Sequence, residues 1–175
     1  MKVTNKYVYF WKEFLSNWYP SPFSLTEKDG KQITFHNSEQ YFMWIKAKTF
    51  WDEEIAKRIL QQGADPKKAK DLGRLVKNYD DRVWNEKRYQ VMVDANILKF
   101  TQNEELKSQL LDQKYNNKHF VEASPYDRIW GIGCSEKMAL DSRSNWKGLN
   151  LLGKVLDEVR EKLRNNNWMI VGYDR

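Results

Sequence analysis

The chain has 175 residues, a length that suits one domain. Hydrophobic residues make up 41% and aromatics 14%, too much apolar bulk for a disordered chain, yet a mean hydropathy of −0.84 and the lack of any run of about 18 apolar residues exclude a membrane-spanning helix. Thirty basic against 24 acidic residues give a net charge of +6, which favours a phosphate-bearing partner, in nucleic acid or on a small ligand.

Residues 7–11 (YVYFW) are aromatic and β-branched and predict a strand. The segment FLSNWYPSPF at 14–23 reads as an ordered loop anchored by Trp18 and Phe23. Asp29-Gly30 is a hairpin turn pair, and KQITFH after it is the return strand of a small antiparallel ribbon. Ser38 is placed to cap a helix running to about Thr49, with Glu39 at its positive end. A second helix over 52–62 has an apolar stripe of Ile55, Ala56, Ile59 and Leu60 and stops at Gly63. Asp65-Pro66 starts a short helix reaching about Leu75. Residues 81–101 place Trp84, Val91, Met92, Ala95 and Leu98 on one face of a long helix, and a short one follows near 103–113. FVEAS at 120–124 is a strand, 125–148 a long loop or set of turns, and Leu152, Val155, Leu156, Val159 and Leu163 define the last long helix. WMIV at 168–171 reads as a final strand. Trp44, Trp51, Trp84 and Trp168 are assigned to core or helix packing. The sum is a single, mostly helical α+β domain with a small antiparallel β component, with no linker long enough to divide it.

The N-terminus MKVTNKYVYFWKEF has no apolar core of a secretory signal, so a cytoplasmic setting is expected. The lone cysteine, Cys134, and two histidines, His36 and His119, cannot supply the usual zinc ligand sets, and neither a metal nor another cofactor is expected. No G-x-x-x-x-G-K-[ST] loop and no G-x-S-x-G elbow occur. Gly131-Ile132-Gly133 begins like a dinucleotide fingerprint, but Glu136 stands where its third glycine belongs. Carboxylates, lysines and aromatics remain, and they suit chemistry at a sugar anomeric carbon: carboxylates stabilise positive charge and activate water, and aromatics hold a flat base. On the helix beginning at Ser38, Glu39 and Lys46 are seven residues apart and share a face, with backbones about 10 Å apart along the axis. Spacing alone equally allows a first-turn carboxylate serving the helix dipole and an ordinary surface lysine.

FLSNWYPSPF, NSEQYFMWIKAKTF, LGR, ILKFTQN, FVEASPYDRIWGIG and WKGLNLLGKVLDEVR, in that order, resemble the NADAR family with its YbiA-like members, over about residues 8–165. The resemblance implies an N-glycosidase. Some members cleave the bond between ribose phosphate and an aminopyrimidine of the riboflavin pathway; others remove ADP-ribose from guanine, including guanine in DNA. A non-catalytic module binding ADP-ribose-like ligands is the third reading. The implied partners are thus a small phosphorylated ribosyl compound or an ADP-ribosylated nucleobase, with possible DNA contact and no membrane.

Carried onto this chain, the resemblance makes Glu39, Lys46 and Asp127 candidate catalytic residues. Asn17, Tyr41, Arg74, Glu122, Trp130, Gly131, Gly133 and Asn150 become candidate substrate-binding residues. Glu39 would stabilise an oxocarbenium-like transition state or orient water. Lys46 would capture ribose C1 as an imine or bind phosphate. Asp127 is an acid or base, or else an Asx turn after Pro125. Glu122 would contact substrate or pair with a cation such as Arg74. Trp130 would stack on a base or join the core, and Gly131 and Gly133 would let the backbone approach a ligand. A position that is often Gln in the family is Met43 here, which removes one polar substrate contact.

Overall fold

The computed structural model describes residues 1–171 and has strands β1 (Lys2–Val3), β2 (Tyr7–Phe10), β3 (Phe23–Thr26), β4 (Gln32–Phe35) and β5 (His119–Glu122). Its α-helices are α1 (Ser38–Thr49), α2 (Glu53–Gln61), α3 (Pro66–Gly73), α4 (Asp81–Gln102), α5 (Glu104–Leu110), α6 (Glu136–Asp141) and α7 (Leu151–Arg164). The class is α+β, mostly helical, as expected. None of these helices is long and apolar enough to cross a membrane. The sequence reads as one domain; the contacts gather the chain into two compact units, Met1–Ser16 with Glu105–Trp168, and Asn17–Glu104 with the residues from Met169 on.

In the first unit the sheet order is β1-β2-β5, with β1 antiparallel to β2 and β2 parallel to β5, Tyr7 opposite His119 and Phe10 opposite Glu122. Parallel strands bury both faces, which explains why Val8, Tyr9 and Phe10 are all buried. α7 packs on β5 through the predicted stripe, with Leu152, Val155, Leu156, Val159 and Leu163 inside. Its polar residues complete the sheet. Asp157 Oδ1 accepts the Phe120 N–H at 3.2 Å, and Asn150 Oδ1 accepts the Glu122 N–H at 3.0 Å. Asn150 Nδ2 donates to the Phe120 carbonyl at 3.0 Å. Side chains of one helix thus stand where another strand would pair, satisfying the edge of β5.

In the second unit β3 and β4 form the expected ribbon, with Leu25 opposite Ile33 and Gly30 at φ +85° in its loop. α1 is enclosed by α2, α3, α4 and β4, and all its residues from Ser38 to Ile45 are buried. A helix buried on every side shows no amphipathic stripe, and its polar groups must be bonded within the protein. Gln40 does so: its amide nitrogen donates to the carbonyls of Ile59 at 2.9 Å and Gly63 at 3.2 Å. Asp65 caps α3 with Pro66 in its first turn, and Gly63 follows α2 at φ +84°, both as expected.

Several local expectations fail. Asn37, not Ser38, caps α1, its side chain accepting the Gln40 N–H at 3.0 Å. Trp44 and Trp84 are buried, but Trp18, Trp51 and Trp168 are 43%, 67% and 40% exposed. Of the two expected anchors of the 14–23 segment only Phe23 is buried, and Phe14 and Leu15 are buried as well; Ser21 N–H adds a bond to the His36 carbonyl at 3.0 Å. Residues 168–171 form no strand: Met169 and Val171 are exposed, so no apolar face drives pairing. The 125–148 segment contains α6 and a short 3-10 turn, Arg143–Asn145. The two-residue β1 was not foreseen, being too short to carry a pattern.

Candidate functional site

The candidate residues fall in both units. In the second unit, Glu39 lies in the first turn of α1 and is 6% exposed. Its N–H donates to the Asn17 carbonyl at 3.1 Å, which fixes Asn17 to the head of the helix. Asn17 is buried, and its Oδ1 receives the Asn96 amide of α4 at 3.4 Å. The carboxylate of Glu39 therefore starts from a position where the helix dipole favours negative charge. Asn96 was missed by sequence reasoning, although the i, i+4 bond from its amide to the Met92 carbonyl at 3.0 Å keeps it on α4's buried side.

Two turns further on, Lys46 is half-buried. Its ammonium donates to the Gly73 carbonyl at 2.9 Å and lies 4.3 Å from the centroid of the Tyr79 ring. Burial, then the charge of Arg74, pull its pKa below the ordinary lysine value, while Asp81 opposes them. Tyr79 was not foreseen as its neighbour; Asn78 at φ +55°, a turn conformation asparagine tolerates, was the available clue. Gly73 belongs here for a steric reason: a Cβ on it would overlap the thioether of Met43. Met43 thus packs against the end of α3. Arg74 is exposed and forms an ion pair with Asp71 at 3.2 Å. Tyr41 is fully buried, its ring edge-on to Phe35 at 5.1 Å and near Phe23 at 5.9 Å, so the ring occupies the core.

In the first unit, Glu122 ends β5, and its carbonyl accepts the Ile132 N–H at 2.9 Å. Asp127 makes the Asx turn: Oδ1 accepts the N–H groups of Ile129 at 2.8 Å and Trp130 at 2.7 Å. Trp130 is half-buried, and its carbonyl receives the Leu152 N–H at 3.0 Å. The carbonyls of Arg128, Ile129, Trp130, Gly131 and Ile132 all accept N–H groups from residues 147–152. Those carbonyls cap α7, whose preceding residue Asn150 makes no side-chain cap.

The glycines of this segment serve the chain's own packing. A Cβ on Gly131 would lie 2.9 Å from the Glu122 carbonyl oxygen and 3.0 Å from that of Asp127. Gly133 has φ +68°, the left-handed region glycine enters freely. Gly148, not singled out from sequence, has no room for a Cβ beside the Gly131 carbonyl. Asn150 has both amide atoms bonded to β5, and a Cβ on Gly153 would overlap the Phe120 carbonyl. Asn150 and Gly153 therefore dock α7 onto β5. Asn150, Gly131 and Gly133 have architectural duties that the expectation of substrate binding did not include.

The second unit offers a buried carboxylate on a helix N-terminus and a lysine of lowered pKa on the same helix; the first offers a laced loop carrying Asp127 and Trp130. Among the described residues no cluster of three or more His, Cys, Asp or Glu is arranged to hold a metal ion.

A family model described as the NADAR domain matches residues 9–164. N-glycosidase R617 of Acanthamoeba polyphaga mimivirus is 37% identical, over 91% of this chain and 97% of that protein. Protein irg-1 of Caenorhabditis elegans is 41% identical over 85% of this chain and 74% of its own length. The NMR structure of the E. coli protein YbiA superposes with a TM-score of 0.72 at 28% identity, covering 94% of this chain and 89% of that one. With a matching family model over most of its length and relatives of this similarity, the chain belongs to the NADAR family.

Proposed function

We propose that this protein hydrolyses the ribose C1–N bond of a phosphorylated ribosyl-base compound of the riboflavin-pathway aminopyrimidine type. Membership of a family with curated N-glycosidases makes it a hydrolase of N-glycosyl compounds. The observation that carries the finer reading is α1: Glu39 buried in its first turn, and Lys46 two turns along with its pKa lowered by burial.

In this reading the C1–N bond breaks, its electron pair goes to the base nitrogen, and that nitrogen takes up a proton. Water adds its hydroxyl to C1. The Glu39 carboxylate stabilises the positive charge developing at C1 or orients the water. Lys46 binds phosphate as a cation, or captures C1 as an imine before water releases it. Asp127, held by two backbone N–H groups, is the candidate acid or base. Trp130 is the candidate stacking surface for the base.

A second reading, removal of ADP-ribose from guanine in DNA, is favoured by the net charge of +6. Incubation with each substrate type, followed by mass spectrometry of the free base, decides between them. Release from the ribosyl phosphate alone supports the first reading, and release of guanine alone the second. Release from neither, with binding of ADP-ribose retained, makes this a binding module.

A further inference from the structure

A second face of α1 borders a cavity. Trp44 and Lys48 lie about 140° and 180° round the helix from Glu39. They line a cavity of about 800 Å³ bounded by the β3–β4 ribbon, α1 and α2, a size typical of small-molecule sites. Its apolar surface comes from Leu25, Ile33, Trp44, Ala56, Leu60 and Val171. Neither Glu39 nor Lys46 lines it.

The charges on this cavity are unequal. Four lysines, Lys28, Lys31, Lys48 and Lys57, face three carboxylates, Glu27, Asp29 and Glu53. Lys48 is buried and neutralised by Glu53, with both carboxylate oxygens 2.6 Å from its ammonium. Asp29 Oδ1 accepts the backbone N–H of Lys31 at 2.9 Å, within the hairpin loop. The ammonium groups of Lys28, Lys31 and Lys57 have no carboxylate partner among the described residues. The lining is thus left with one net positive charge around an apolar floor. Among the described residues the lining includes one side-chain hydroxyl, on Thr26, and no Asn, Gln, Ser or His. A sugar or a nucleobase placed there would find partners for its polar edges only at the charged rim and none on the apolar floor.

We infer that this cavity binds an amphipathic monoanion, an acyl or aryl carboxylate. Its apolar body would lie against Trp44, Ile33 and Leu60, and its carboxylate among Lys28, Lys31 and Lys57. The site is additional to the Glu39 and Lys46 face and independent of the reaction proposed there.

The test uses the full chain and the fluorescent aryl sulfonate 8-anilinonaphthalene-1-sulfonate, displaced in separate arms by dodecanoate, 2-naphthoate and AMP. The expected result is saturable binding with displacement by at least one carboxylate at a concentration at least tenfold below that needed for AMP; whichever carboxylate is tighter identifies acyl or aryl as the source. Substituting the three exposed lysines together (Lys28→Glu, Lys31→Glu, Lys57→Glu) should weaken binding at least tenfold while the circular dichroism stays unchanged. Amide NMR shifts on adding dodecanoate or 2-naphthoate should concentrate in β3, β4 and α2. Affinity within twofold in the triple variant, equal displacement by AMP, or shifts centred outside these elements would overturn the proposal.

Discussion

Replacing Asn150 with alanine separates an architectural role from a substrate-binding one. The substitution deletes an acceptor from the Glu122 N–H and a donor to the Phe120 carbonyl, each at 3.0 Å. Both groups belong to the β5 edge, so each is left without its partner at about 1–3 kcal/mol. Asn150 also has φ +53°, where an alanine costs about 1 kcal/mol more than asparagine. The expected loss is about 3–7 kcal/mol, a large share of a typical total stability of about 5–15 kcal/mol. At about 2–4 °C per kcal/mol for a chain of this size, the melting temperature should fall by about 10 °C. Asn150→Gly accepts the backbone angle and isolates the two hydrogen bonds, so it should lose slightly less. Thermal and urea unfolding measure the stability, and steady-state kinetics measure KM. A melting temperature within about 2 °C of the parent together with a tenfold rise in KM would refute the reasoning and return Asn150 to the substrate.

Lys99 is fully buried and lies 5.1 Å from the Phe100 ring and 5.9 Å from that of Tyr19; burial lowers its pKa to about 7. Between pH 7 and about 10.4 the unfolded chain holds a proton that the folded chain has lost, so this residue makes stability rise with pH across that window, by up to about 5 kcal/mol. Lys99→Met should be more stable than the parent at pH 7 and progressively less so relative to it towards pH 10; a difference independent of pH counts against this account. Glu39→Gln should lower turnover at least about 10²-fold with folding intact, and an unchanged rate with a normal circular dichroism spectrum rejects the assignment. Lys46→Arg keeps the charge but forms no imine at neutral pH: near-normal activity leaves Lys46 as a phosphate-binding cation, whereas total loss, along with loss of a borohydride-trapped adduct, supports covalent catalysis. Activity should survive EDTA; abolition by EDTA with restoration by a divalent ion would overturn the expectation of metal-free catalysis.

Sequence alone determined the parts of this protein that depend on near neighbours. The Asp65-Pro66 start of α3, the stop at Gly63 and the apolar stripe of α7 are local rules, because a cap or a 3.6-residue period is satisfied within one or two turns. The motifs that resemble the NADAR family were equally legible as strings, and they pointed to α1 and to the loop after β5. What those residues touch was decided by tertiary structure. Trp51 and Trp168 read as core but are exposed, since a tryptophan reaches the interior only where another element meets it. α1 has no stripe because α2, α3, α4 and β4 enclose it. Gly131 and Asn150 read as ligand contacts, and the packing role they share with Gly153 against the backbone of β5 was not legible, because the carbonyls of Phe120 and Glu122 come close only after α7 and the preceding loop fold back onto that strand. A side chain's chemistry is written in the sequence, whereas its partner depends on residues some thirty positions away, and only the packing of α7 on β5 brings the two together.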